Sequence, residues 1–144
     1  MRPGQQSMEA MIARYGWAVL GVGDDPLFAY TVGLADKGLP EIIVIGLPMK
    51  IAHQFLNELG RRFTSTGVPP LDTNIDDLAK GLPAQLIAAP RSETDKYMFA
   101  SKARCPTYTA VQLAWCDKAG RFPWHADFDP TMFELQPILR RALN

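Results

Sequence analysis

Two tryptophans stand on either side of a short polar turn in the last third of the chain. Trp115 precedes the turn DKAG, residues 117–120, and Trp124 follows it. In a structural interpretation, Asp117 caps backbone N–H groups, Gly120 takes a positive φ and the two indoles bury surface. In a functional interpretation, an aromatic or heterocyclic ligand lies between the indole rings. The residue types alone leave both interpretations open.

The segment FAYTVGL, residues 28–34, has the alternation of a strand with one bulky and one small face. The small face accommodates a helix that crosses the strand closely, because Ala29 and Gly33 leave room for it. The alternative is the wall of a ligand pocket. In that case Thr31 supplies a hydroxyl, Gly33 an accessible backbone and Tyr30 a phenol at the rim.

Other residues capable of chemistry form weaker patterns. His125, Asp127 and Asp129 alternate in HADFD, but no second His or Cys is spaced to complete a metal site, so we predict no metal. Neither histidine lies in a hydrolase signature with a cysteine. GVGDDP is followed by a strand rather than the helix of a nucleotide-binding loop. We therefore assign no catalytic residue.

Composition limits the function further. The 144 residues carry 15 basic and 15 acidic side chains, so no net charge favours nucleic acid or anionic lipid. No stretch has the ~18 apolar residues that span a bilayer, and the start of the sequence lacks a secretory signal. Cys105 and Cys116 fit no disulfide framework. We expect a cytoplasmic protein of one domain, residues 1–144, that binds neither nucleic acid nor membrane.

Local patterns predict the elements that position these residues. In the first half, Ser7 caps a helix that Gly16 ends, and a turn at residues 23–26 joins two strands. A third strand and a helix with one apolar stripe follow. The predicted ranges are a helix at 7–15, strands at Trp17–Val22, Phe28–Leu34 and Glu41–Leu47, and a helix at Pro48–Phe63.

The second half begins with a loop-rich stretch that contains one helical turn at Ile75–Lys80. It continues with a strand at Ala84–Ala89, a helix from Ser92 to Arg104 and a strand in TYTAVQLAWCD, residues 107–117. A last helix runs from about Thr131 to Arg141 and is broken near Pro137. The predicted fold class is α+β, an antiparallel meander of about five strands with helices packed on it.

Four stretches together resemble a bacterial family known as domain of unknown function 4262. They are YGWAVLGVGDDPLFAYTVGL, PEIIVIGLP, QLAWCDKAGRFPW and LQPIL, and the resemblance spans roughly residues 15–139. It implies a small bacterial cytoplasmic protein of no established activity. This sequence has Cys116 where the family often has proline before the aspartate, which would loosen the turn and place a thiol near the candidate site.

These observations predict a non-catalytic ligand-binding or protein-interaction module, with homo-oligomerisation left open. The alternative is a flavin-assisted oxidoreductase with a split-barrel-like pocket, in which the tryptophans cover the isoalloxazine; this rests on analogy of fold. In both cases the candidate ligand-binding residues come from the two marked segments: Tyr30, Thr31, Gly33, Gln112, Trp115, Asp117 and Trp124.

Overall fold

The computed structural model describes residues 3–23 and 25–140. Asp24 of the predicted first turn and Arg141 of the predicted last helix lie outside these residues. The first helix, α1 (Pro3–Tyr15), begins before Ser7, so Ser7 lies inside the helix rather than at its cap. Among the described residues, no helix combines the length and the apolar character needed to cross a membrane.

One mixed sheet of six strands forms the centre of the molecule. The strands are β1 (Ala18–Val22), β2 (Phe28–Val32), β3 (Glu41–Ile45), β4 (Asn74–Ala79), β5 (Leu82–Ala89) and β6 (Ala110–Trp115), in the spatial order β1-β2-β3-β6-β5-β4. Neighbours are antiparallel except β3 and β6, which run parallel from Glu41↔Ala110 to Ile43↔Gln112. The α+β class is confirmed, whereas the prediction of a purely antiparallel five-stranded meander is wrong.

The additional strand is β4, where a helical turn was predicted. Asn74–Ala79 pairs antiparallel with β5, and residues 80 and 81 form the hairpin turn. Asp77 is exposed on this edge strand while Leu78 packs against the core, so alternation places one side chain in water and the next on the sheet. Pairing with β5 overrides the weak local preference for a helical turn.

The strongest predicted helix covers one face of the sheet. The helix α2 (Met49–Thr66) begins after Pro48. Its stripe Ala52, Leu56, Leu59 and Phe63 is buried in one cluster with Ala29 of β2. The small face of the β2 segment therefore receives α2, as the structural interpretation of Ala29 predicts.

The opposite face is covered by α1, by α4 (Phe99–Arg104) and by the end of the described chain.

The helix predicted from Ser92 to Arg104 is interrupted: α3 (Arg91–Thr94) and α4 are separate, because the chain bends to bury Met98 in this second cluster. The predicted last helix is also different. It is a 3₁₀ helix, Pro130–Leu135, followed by a non-helical segment from Gln136 to Leu139.

Candidate functional site

Thr31 and Gly33 converge on a buried carboxylate that the sequence interpretation did not consider. Glu41, at the start of β3, is 1% exposed. Thr31 Oγ1 donates to Glu41 Oε1 at 2.8 Å, and Gly33 N–H donates to Oε2 at 3.0 Å. The N–H groups of Leu34 and Ala35 donate to the same carboxylate at 3.2 Å and 3.1 Å. Four donors thus surround one side chain.

This arrangement is a backbone nest at the start of a 3₁₀ helix, Leu34–Lys37. It requires Gly33, whose φ of 114° is in the left-handed region that glycine adopts without strain. Because of this turn, β2 ends at Val32, whereas the sequence pattern predicted a strand that continues to Leu34. Burial raises the pKa of Glu41, and the hydrogen bonds from Ala35, Thr31, Gly33 and Leu34 oppose that rise.

Tyr30 lies on the other side of the strand from Ala29 and Thr31. Its ring is 4% exposed and packs in the cluster that faces α1 and α4. Its hydroxyl accepts a hydrogen bond from Ala100 N–H at 3.1 Å, and burial raises the pKa of the phenol. The structure therefore places the Tyr30 phenol against α4 rather than beside the Thr31 hydroxyl.

Gln112 is fully buried and fastens the end of the described chain to β6. Its Nε2 donates to the Pro137 carbonyl at 2.8 Å, and its Oε1 accepts from Leu139 N–H at 2.8 Å. The Gln136 amide makes a matching pair with Trp115, accepting from its N–H at 2.8 Å and donating to its carbonyl at 3.0 Å. These four bonds hold residues 136–139 in a segment without regular secondary structure, in which Gln136 and Leu139 are buried.

The two tryptophans belong to different clusters. Trp115 packs beneath α2, and its indole N–H donates to the Ile45 carbonyl at 2.7 Å. Trp124 packs on the cluster around Phe122, where the two rings are stacked with centroids 4.9 Å apart. The structure does not bring the two indoles together around one ligand slot.

Asp117 is 3% exposed and organises the loop between β6 and the last 3₁₀ helix. Its Oδ1 accepts from the N–H groups of Ala119 and Arg121 at 2.9 Å, and Oδ2 accepts from Asp129 N–H at 3.1 Å. Burial alone would raise the pKa of Asp117, but the three backbone donors and the charge of Arg121 outweigh it and lower the pKa.

The histidines and the acidic run after Asp117 have local partners. His125 Nδ1 accepts from Phe122 N–H at 3.0 Å, Asp129 caps Thr131, and Asp127 is largely exposed. His53 Nδ1 lies 2.9 Å from the Met49 carbonyl. Within the described ranges, no group of three or more His, Cys, Asp or Glu residues is placed to hold a metal ion.

A cavity of about 520 Å³ lies where β5 ends and β6 begins. It is larger than the pocket beside the Pro69-Pro70 pair, at about 290 Å³, and the pocket beside Cys105, at about 240 Å³. Its walls combine small apolar residues with a few polar ones. The lining residues are Asp72, Ala88, Ala89, Pro90, Arg91, Thr109, Ala110 and Arg140.

Two of the predicted site residues, Trp124 and Gln112, do not line this cavity but fix the position of its wall residue Arg140. The Arg140 guanidinium lies over the Trp124 ring, 4.5 Å from its centroid. Gln112 fixes Leu139, the neighbour of Arg140 in the chain. Trp124 and Gln112 thus position a wall residue, while Thr31 and Gly33 bind Glu41 and Asp117 organises its own loop.

Sequence reasoning missed the residues that line the cavity. Asp72 precedes β4, Arg91 follows β5, and Arg140 comes after the last 3₁₀ helix, so no short motif contains them. The sequence contains one local signal for Arg91, because this cation comes directly after Pro90, the residue that follows β5. For Glu41 the signal is a single carboxylate at the head of an otherwise apolar strand, EIIVI.

A family model described as "Domain of unknown function (DUF4262)" matches residues 11–129. The matched range contains all seven predicted site residues and every cavity residue except Arg140. No curated protein and no solved structure matches the chain.

Proposed function

This chain belongs to the DUF4262 family, and from that premise we propose that it is a non-catalytic small-molecule-binding module. The binding site in this proposal is the cavity between the end of β5, the start of β6 and Arg140. The observation that carries the proposal is the size and lining of the cavity. At about 520 Å³ it has the volume of typical ligand sites, and its apolar wall has a few polar groups at the edge.

Several features favour binding at this position. Ala89 and Ala110 are paired residues of neighbouring strands, so the floor is a rigid part of the sheet. Leu139 packs in the same cluster as these alanines, and Gln112 holds it there. The cavity wall is therefore largely formed before a ligand arrives, which reduces the ordering cost of binding.

The chemistry of the lining favours binding over catalysis. A nucleophile requires an adjacent base, and the part of the cavity lining that the structure describes includes neither histidine nor cysteine. Cys116 is buried in the cluster around Phe122, where burial raises the pKa of its thiol and disfavours the reactive thiolate.

The experiment is a ligand-observed NMR screen with a fragment library that spans neutral, cationic and anionic compounds. Ala89→Phe fills the cavity from its floor, because Ala89 and its strand partner Ala110 face it, and Leu82→Phe at the other end of β5 is the matched control. We expect fragments to bind the parent protein and Leu82→Phe but not Ala89→Phe. If folded Ala89→Phe retains every fragment, or if the parent binds none, the proposal is wrong.

A further inference from the structure

Three charged side chains among the described residues line the cavity, two cations and one anion. They are Arg91, Arg140 and Asp72. Asp72 Oδ1 is 3.1 Å from Arg140 Nη1, so one nitrogen of the Arg140 guanidinium is already paired with a carboxylate. Asp95 Oδ1 is 3.8 Å from Arg91 Nε, so these two residues form an ion pair that is too long for a hydrogen bond. Asp95 is not a lining residue, so among the described lining residues the cations exceed the anions by one.

Each guanidinium rests on an aromatic ring. Arg140 lies 4.5 Å from the Trp124 centroid, and Arg91 lies 5.2 Å from the Tyr108 centroid. A guanidinium over an aromatic ring is attracted to the ring face, and its N–H donors lie along the edges of its own plane. Arginine binds carboxylate and phosphate groups through two parallel hydrogen bonds from these edges.

Arg91 also has a donor that no protein group uses. Among the residues that the structure describes, Arg91 Nε is buried from solvent and has no hydrogen-bond partner. A buried unpaired N–H on a cation is costly, and the cost disappears when an oxyanion accepts from it. Arg91 thus lines the cavity with one N–H donor that makes no hydrogen bond, while its charge is paired with Asp95.

From these contacts we infer that the cavity binds an organic anion, with its carboxylate or phosphate group between Arg91 and Arg140. The inference rests on the proposed function, since it names the ligand class of the same cavity. The small side chains of Ala89 and Ala110 leave space for a flat apolar body attached to the anion. Carboxylate and phosphate share the recognition chemistry, and the experiment separates them.

Isothermal titration calorimetry at low ionic strength tests the inference, because exposed ion pairs weaken as salt is added. The probes are benzoate, phenyl phosphate and inorganic phosphate, with benzyl alcohol and benzylamine as neutral and cationic counterparts. We expect benzoate or phenyl phosphate to bind more tightly than both counterparts. Equal affinity for phenyl phosphate and inorganic phosphate would contradict an organic ligand and leave free phosphate as the anion.

Two arginine variants measure the contribution of the cavity cations. Arg91→Gln and Arg140→Gln should each weaken anion binding about tenfold or more, since each removes hydrogen bonds to a charged group. Arg14→Gln is the matched control: Arg14 also stacks on a tyrosine, 5.2 Å from the Tyr15 centroid, but does not line the cavity. It should leave the affinity unchanged.

A gain-of-binding variant separates recognition from a structural role of the arginines. Asp72 has a φ of 59°, a conformation that asparagine also adopts readily, so Asp72→Asn preserves the backbone. It removes the carboxylate that competes for Arg140 and should tighten anion binding about two- to fivefold. Damage to the fold cannot produce tighter binding.

Three further results would overturn the inference. The first is binding of benzyl alcohol or benzylamine as tightly as the anions. The second is anion affinity that neither Asp72→Asn nor the cavity arginine variants change, and the third is that none of the five probes binds. In each case, fragments that bind the parent protein and are lost in Ala89→Phe would still support the proposed small-molecule site.

Discussion

Replacing Thr31 by valine removes one hydroxyl that serves two partners in the buried nest. Thr31 Oγ1 accepts from Ile42 N–H at 2.8 Å and donates to Glu41 Oε1 at 2.8 Å. Thr31 is completely buried and Glu41 is 1% exposed, so water cannot replace either bond. Valine has nearly the same shape as threonine, which restricts the perturbation to the two hydrogen bonds.

The magnitude follows from what the substitution leaves behind. Ile42 N–H becomes a buried unpaired donor, and the Glu41 carboxylate loses one of its four donors. An unsatisfied buried group and a lost bond to a charged group together cost about 2–4 kcal/mol of unfolding free energy. For a domain of this size, that lowers the melting temperature by about 5–15 °C.

The cost should also depend on pH. Burial raises the pKa of Glu41 in the folded state above its usual value, and the hydrogen bond from Thr31 opposes the rise. A raised folded-state pKa contributes stability that is complete below the unfolded-state pKa and is lost as the pH rises through the folded-state pKa. Without the Thr31 hydroxyl that pKa is higher still, so Thr31→Val loses more stability at about pH 7 than at about pH 4.

Urea unfolding followed by tryptophan fluorescence measures both effects, with Thr31→Ser as the control. Serine retains the hydroxyl and loses one buried methyl group, at a cost of about 1 kcal/mol. We expect Thr31→Val to be clearly less stable than Thr31→Ser, by a margin that grows towards neutral pH. Equal stability of the two variants at both pH values would refute the role assigned to the nest.

Three further predictions concern other buried contacts. A methyl group on Gly46 would overlap the carbonyl oxygen of Leu135, and the φ of Gly46 is 95°. Gly46→Ala should therefore lower the urea midpoint of unfolding strongly. Gly38→Ala, with φ of 74° and no atom within 4 Å of the added methyl, should lose only about 1–2 kcal/mol. Gln112→Ala should accelerate hydrogen exchange at Leu139 N–H, as measured by NMR, because Gln112 Oε1 accepts from that group. Burial alone would raise the pKa of Asp117, but backbone donors lower it, so its stabilisation is present above the usual pKa and is lost as the pH falls. Asp117→Asn should therefore flatten the acid side of the plot of unfolding free energy against pH, and an unchanged slope would contradict this assignment.

Local patterns predicted the elements whose neighbours are close in sequence. The 3.6-residue stripe of α2 and the alternation in β2 correspond to the observed buried faces. The parallel pairing of β3 with β6 was missed because β3 is apolar on both faces and contains no signal for its partner. The C-terminal segment was predicted helical because the pattern does not show that Gln112 and Gln136 fix it through side-chain bonds.

The candidate site was harder to predict for a geometric reason. Trp115 and Trp124 are close in the chain, yet the sheet separates their clusters, so proximity in sequence suggested a shared slot that the fold does not form. Arg91 and Arg140 are distant in the chain and line the same cavity. A single sequence contains no information on that juxtaposition, because it depends on how residues 136–139 cross β6.

The parallel contact between β3 and β6 has a consequence for how the molecule folds. In each half of the sheet, β1-β2-β3 and β4-β5-β6, the strands follow one another in the chain. Their connections are short except between β5 and β6, where residues 90–109 include α3 and α4. The junction between the halves instead closes a longer loop, residues 46–109, that contains α2, β4, β5, α3 and α4. Loop closure over such a distance slows folding, so we expect the halves to form early and the junction to form last. The bond from Trp115 to Ile45 bridges the two halves, so tryptophan fluorescence reports that final step in a variant that keeps Trp115 and replaces Trp17 and Trp124 by phenylalanine.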